Sequence, residues 1–348
     1  MMKSIRSNLS RAVTKRRNVV ANTQDKWVKV SPVDNTNTIP VVVEPAIENI
    51  NFREWCSNNR EMIDELLKKY YSILFRGFSV TTPETFAEIV DIISGGNLLE
   101  YRDRSTPRED RGNRIYTSTV YPAAEKINLH NEGTYWTKWA RKIYFCCIQA
   151  SLTGGETPIA DVRKVYSRIP VDIRDAFETL GISYVRNYNS GYGLRWQEVF
   201  QCDSRQDVER YCQENRIDYE WTGADQLRTV QVRPAVREHP ITKEKLWFNH
   251  GAFFHVTSLK TTVSEHLLQA LGEENIPYNT FYGDGSPIDP EHVRIIMDAY
   301  NAERVLFKWQ EGDLLLQDNM VCAHAREPYT GDREVLAALA EPYSPEDE

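Results

Sequence analysis

The sequence predicts an α+β protein, mainly β, with a double-stranded β-helix (jelly-roll) core flanked by helices. Three observations carry this expectation. Helical periodicity is concentrated early in the chain, and short apolar runs of strand character recur throughout it. Strands and helices do not alternate in the regular way that builds a doubly wound parallel sheet. A jelly roll satisfies this pattern; on pattern alone, other α+β sandwiches remain open.

Trp27–Val30 and Ile39–Val43 read as short strands. Trp55, Met62, Ile63, Leu66, Leu67 and Tyr70 fall at helical spacing. Ser72–Phe78 reads as a strand whose regularity Gly77 breaks. Thr82-Pro83 has the form of an N-cap followed by proline in the first turn, opening a helix that stops at Gly95-Gly96. Residues 115–160 look strand-rich, and Val165–Leu180 reads as one helix. Residues 185–250 read as short strands between polar turns. Val263–Leu271 and His292–Ala302 are expected helices, the second opened by Asp289-Pro290. Strands are then expected over Val305–Trp309, Leu314–Leu316 and Glu334–Leu339.

The 348 residues can enclose one large core, and no internal repeat or long linker divides them. Residues 26–348 are therefore expected to form a single domain. Residues 1–25 form a tail whose first 17 positions carry Lys3, Arg6, Arg11, Lys15, Arg16 and Arg17 and no acid. That tail reads as a disordered basic segment, with an organellar targeting peptide as the alternative. Net charge is −8, which disfavours a nucleic-acid binder. No apolar run approaches the roughly 20 residues of a membrane span. Cys56, Cys146, Cys147, Cys202, Cys212 and Cys322 form no CxxC pair, so buried free thiols in a reducing cytoplasm are expected rather than zinc ligands.

The most informative residues are His130, Asn131 and Glu132, with His324 far downstream and Arg333 nine positions beyond it. On one strand, positions i and i+2 face the same side, so His130 and Glu132 could hold one ion together. A histidine from a distant strand would complete a face of two nitrogens and one carboxylate. That set suits non-heme Fe(II) and leaves open positions. A nearby arginine could hold the far carboxylate of a dicarboxylic acid. Taken singly, each histidine reads as a packed strand residue, and His-x-Glu alone is a common surface pattern.

In order, the motifs are His130-Asn131-Glu132, Gly154-Gly155-Glu156-Thr157-Pro158-Ile159-Ala160-Asp161, Gly312-Asp313-Leu314-Leu315-Leu316-Gln317-Asp318-Asn319, and His324 to Arg333. Together they resemble the TauD/TfdA family of Fe(II)- and 2-oxoglutarate-dependent dioxygenases over about Leu74 to Pro342. Within it they are most similar to the subgroup around the syringomycin-pathway hydroxylase SyrP, whose members modify amino-acid units in natural-product pathways. The resemblance implies a jelly-roll fold, Fe(II) on His130, Glu132 and His324, and 2-oxoglutarate and O2 as cosubstrates. It implies that Arg333 and Thr157 hold the far carboxylate of 2-oxoglutarate. Glu132 stands where many relatives carry aspartate. A carboxylate there excludes the vacancy that halogenating relatives use for chloride.

The implied activity is hydroxylation of an amino acid or amino-acid-derived unit, free or bound to a peptidyl carrier protein. Desaturation or epoxidation would use the same residues. A catabolic dioxygenase of a small anion and a non-enzymatic ligand-binding jelly roll are the other readings. Oligomeric state is not legible. For substrate contacts we single out Arg104, Asn131, Tyr135, Asn249 and Arg326. Arg326 could instead pair with Glu327 on the surface. Arg102, Arg104, Arg108, Arg111 and Arg114 form an arginine-dense stretch, either a solvated loop with mixed salt bridges or an anion-binding rim. Asp318 and Asn319 are expected to fix the approach to His324, and Asp313 to serve its turn.

Overall fold

The computed structural model describes residues 26–34, 39–101, 103, 108–118, 121–189 and 191–345. The basic tail and Arg104 lie outside the described residues. Two sheets frame the site. The larger has seven strands in the order Val28–Pro32, Val41–Pro45, Ser72–Phe75, Leu314–Asp318, Trp139–Gln149, Glu334–Tyr343 and Tyr116–Thr117. Its neighbours are antiparallel except for the pair Val41–Pro45 and Ser72–Phe75. The smaller sheet places Cys322–Arg326 between Ile127–His130 and Ile159–Asp161, antiparallel to both.

The interior strand Trp139–Gln149 of the large sheet explains the apolar run seen in the sequence. Ile143, Phe145 and Cys147 face the core shared with the small sheet, alongside Leu129, Ile159, Ala323 and Ala325. Tyr144 and Cys146 face the other way, onto Phe52, Trp55, Ile63, Leu66 and Phe86 of the early helices. A strand covered on both faces has no position for a polar residue to alternate into. This double cover gives the small sheet a rigid backing. All six cysteines are free thiols, and all but Cys202 are buried.

The helix signals hold with small shifts. Pro83–Ser94 is capped by the Thr82 side chain, which accepts from the Thr85 N–H at 3.2 Å, and Gly95 closes it in the left-handed region. Pro290–Ala302 is capped by Asp289. The expected first helix is two, Phe52–Asn58 and Arg60–Tyr70, divided at Asn59. Val165–Leu180 is likewise two, Val162–Arg168 and Val171–Leu180, because Pro170 has no N–H to continue the first ladder. Two helices inside 185–250, Trp196–Phe200 and Arg205–Glu214, were not expected. Val305–Trp309 does not pair as a strand: Val305 and Phe307 are buried in alternation, but only Val305 bridges to Ile159.

Candidate metal centre

His130 and His324 sit directly opposite one another on paired strands of the small sheet. Cross-strand partners project to the same face, and their rings lie 4.6 Å apart, centroid to centroid. Glu132 does not share the strand with His130, as the same-face argument assumed. The strand ends at His130, and Glu132 lies in the turn that follows. Its direction is set instead by Asn319, whose side chain accepts from the Glu132 N–H at 2.9 Å and donates to the carbonyls of Glu132 at 2.9 Å and Ala140 at 2.8 Å. The turn needs Gly133: its φ is +69°, and a Cβ there would lie 2.3 Å from the Trp136 ring.

One ligand atom each from His130, Glu132 and His324 falls within 4.8 Å of the others, and all three residues are buried. The donor chemistry fits a divalent ion. His130 donates Nδ1–H to the Asn128 carbonyl at 2.8 Å, which leaves Nε2 as a lone-pair donor. His324 Nδ1 is buried without a hydrogen-bond partner. Burial lowers the pKa of His130 and pushes that of His324 well down, so both imidazoles are neutral near pH 7, the form that binds metal. Phe145 reaches across from the large sheet to pack on the His324 ring at 4.8 Å.

The pocket beside these donors is cationic, lined by Arg108, Arg326 and Arg333 with Ser118 and Thr157 and, among the described residues, no carboxylate. Arg333 donates Nε–H to the Gly155 carbonyl at 2.9 Å and Nη1–H to Ser118 Oγ at 3.3 Å. Gly155 makes room for it: a Cβ there would meet Arg333 Cδ at 3.0 Å. Among the described residues no acidic side chain forms an ion pair with Arg333. Burial, with Arg326 nearby, pushes its pKa down to about 10. A buried arginine without an anionic partner fits an anionic ligand. The Thr157 hydroxyl is also in this pocket, accepting from Trp309 Nε1 at 3.0 Å.

The remaining candidates divide. Arg326 is buried and makes no surface pair with Glu327, which binds Arg304 at 2.9 Å instead. It lines the pocket and donates to the carbonyls of Tyr121, Pro122 and Glu125, fastening that segment beside the site. Asn131 is fully buried and donates to the Asn319 carbonyl at 2.7 Å. Tyr135 donates its hydroxyl to the Asp103 carbonyl at 2.9 Å and sets its ring edge-on to His250, which is 5.5 Å from His130. Asn249 spends its amide on the Ala235 carbonyl and the Gly251 N–H, a structural use. Asp313 holds its turn by accepting from the Gln310 N–H and ion-pairs with Arg76 at 2.7 Å. Asp318 caps the turn before His324 by accepting from the Met320 and Val321 N–H groups.

Sequence reading named Arg108 only as one member of the arginine-dense stretch. Its Nη2 donates to Glu132 Oε2 at 2.8 Å, both side chains being only 4% exposed. Arg111 and Arg114, from the same stretch, are exposed and engaged with Glu109, Glu334 and the Leu98 carbonyl. Of the three described arginines of the stretch, Arg108 is buried at the site and Arg111 and Arg114 are exposed, while Arg102 lies outside the described residues like Arg104. Only the clustering of arginines hinted at this. Ser118 had no signal in the sequence at all.

Known proteins resemble this chain in sequence and in fold. The family described as "Taurine catabolism dioxygenase TauD, TfdA family" matches residues 32–339. The dapdiamide synthesis protein DdaC of Enterobacter agglomerans is 42% identical over 283 residues, 81% of this chain and 86% of that protein. A clavaminate synthase-like protein of Arabidopsis thaliana is 28% identical over 87% of this chain and 90% of its own length. Among solved structures, the chain is similar to PvcB, an Fe, alpha-ketoglutarate dependent oxygenase from an isonitrile synthetic pathway. The TM-score is 0.55 at 14% identity, covering 92% of this chain and 94% of that one. AAD-2 in complex with Mn(II) and N-oxalylglycine gives a TM-score of 0.52 at 14% identity, over 91% and 98% of the two chains. At such identities the likeness concerns the fold, and it agrees with the jelly-roll expectation.

Proposed function

The chain belongs to the TauD/TfdA family of Fe(II)- and 2-oxoglutarate-dependent dioxygenases, and within that family we propose that it hydroxylates an amino acid or amino-acid-derived unit in natural-product biosynthesis. The observation that carries the iron-site reading is the juxtaposition of three buried donors with an arginine that has no acidic partner among the described residues. The biosynthetic assignment is supported by 42% identity to a protein of dapdiamide synthesis.

In this reading His130, Glu132 and His324 hold Fe(II), and Arg333 with Thr157 holds the far carboxylate of 2-oxoglutarate. Fe(II) with 2-oxoglutarate and O2 supplies an oxidant able to cleave an unactivated C–H bond. The chain supplies position and dryness. Arg333 presents a planar fork to a carboxylate, which a lysine cannot do. Phe145, Ile127 and Val335 wall the pocket with apolar surface. The rings of Phe253 and His250, with Tyr135 edge-on behind His250, back the His130 ligand. Asn131 and Arg326 act through the backbone they hold. Residues 26–348 act as one catalytic unit.

We place the protein in the cytoplasm, in keeping with its free thiols. Among the described residues no helix is long and apolar enough to cross a membrane. The substrate is either a free amino acid or the same unit carried as a thioester on a peptidyl carrier protein. The test is incubation with Fe(II), 2-oxoglutarate and O2 and a panel of amino acids in both forms and of small sulfonates, followed by mass spectrometry. Succinate release coupled to a product one oxygen heavier supports the proposal. Loss of two hydrogens would identify a desaturase, turnover of sulfonates alone a catabolic enzyme, and no coupled turnover would refute it.

A further inference from the structure

Arg108 comes from a polar loop 24 residues upstream of Glu132, yet its guanidinium lies in the buried pocket. Its Nη2–H group reaches Glu132 Oε2 at 2.8 Å, and its guanidinium carbon stands 4.3 Å from the centre of the Tyr101 ring. Asp103 and Glu109, the nearest described residues on either side, are both anchored. On one side, Asp103 pairs through its carboxylate with the buried Arg186, and its carbonyl accepts from Tyr135 Oη at 2.9 Å and Trp136 Nε1 at 3.3 Å. On the other, Glu109 exchanges hydrogen bonds with Thr117: N–H to Oγ1 at 3.0 Å and carbonyl from the Thr117 N–H at 2.9 Å.

We infer that Arg108 is a positioning residue that keeps Glu132 a one-oxygen ligand. The inference rests on the iron-site reading above. A glutamate has one more torsion than an aspartate, and its terminal torsion is broad. Asn319 fixes the backbone of Glu132 and not its carboxylate. With Oε2 held by Arg108, Oε1 is left for the ion. With one nitrogen each from His130 and His324, three protein donors would hold the ion and leave its other positions open. Without Arg108 the carboxylate keeps the Tyr101 hydroxyl beside it but would be free to turn and offer both oxygens to the ion, closing one of the positions that a cosubstrate or O2 would require. Metal affinity is a poor diagnostic, because removing Arg108 also removes a cation from beside the ion. The number of waters on the ion is a direct one.

The probe is Mn(II) bound to the purified apoprotein, with bound waters counted from the broadening of its electron paramagnetic resonance lines in 17O-enriched water. The parent is expected to keep water on half of the coordination sphere. Arg108→Met is expected to hold Mn(II) at least as tightly and to lose one exchangeable water. Arg108→Lys, which can still donate to Oε2, is expected to restore the parental count. An Arg108→Met protein with the parental count overturns the inference. So does a parent already short of one water, a measurement that stands even if Arg108→Met fails to fold. His130→Ala, assayed alongside, tests the underlying site: if it binds Mn(II) as the parent does, the iron-site reading fails, and the inference with it.

Discussion

Replacing Arg333 with lysine should weaken 2-oxoglutarate binding while leaving Fe(II) binding in place. Arg333 is anchored through Nε to the Gly155 carbonyl and through Nη1 to Ser118 Oγ, which orients its planar group in the pocket. Lysine presents a point charge with no fork and cannot reproduce both the anchor and a two-point grip on a carboxylate. Loss of one charge-assisted contact is worth about 1.5–3 kcal/mol. That corresponds to a roughly 10- to 150-fold rise in the 2-oxoglutarate Kd. The ion itself should be nearly indifferent, since its proposed ligands are His130, Glu132 and His324. The assay is an anaerobic titration of the Fe(II) protein with 2-oxoglutarate, following the weak visible charge-transfer band, with Fe(II) affinity measured separately. Equal 2-oxoglutarate affinity in parent and variant would refute the role of Arg333. Parallel loss of both affinities would show a general collapse of the site.

Three further outcomes are expected. Thr157→Val removes one neutral hydrogen-bonding group and should cost about 0.5–1.5 kcal/mol of 2-oxoglutarate binding, roughly tenfold at most, in the same titration. Asn319→Ala removes the acceptor for the Glu132 N–H and the donors to two buried carbonyls; it should lower unfolding stability by about 2–4 kcal/mol in a denaturant titration and weaken Fe(II) retention. Burial lowers the His255 pKa from 6.5 to about 4, so as pH falls through 6.5 the unfolded chain takes up the proton first and stability declines towards pH 4. His255→Asn, which can keep an acceptor for the Thr257 N–H, should reduce the proton uptake on unfolding by about one over that window; an unchanged slope would count against it.

The sequence carried the centre better than its setting. His130 and His324 were legible because four motifs stand in a fixed order, and their strands pair directly. Glu132 was found for a partly mistaken reason: the i, i+2 rule assumes a continuing strand, and the strand stops at His130. Its true support, Asn319, lies 187 residues away, and no local rule reaches that far. Arg108 was only partly legible: the arginine-dense stretch pointed to an anion-binding rim, but nothing local says which of its arginines turns inward. The helix Arg205–Glu214 was legible and missed: Ser204 caps it, and Val208 and Cys212 sit four apart on its buried face. Val305–Trp309 shows the converse. Its alternating burial is real, but alternation reports which side faces the core and not whether a neighbouring strand is free to pair.

Iron stoichiometry tests the proposed centre most directly. Anaerobic Fe(II) binding to the parent should saturate at one ion per chain and give the 2-oxoglutarate-dependent visible band. Alanine at His130, Glu132 or His324 should each abolish the band and lower the bound iron. Undiminished iron and an unchanged band in the His130→Ala protein would contradict the assignment of the centre.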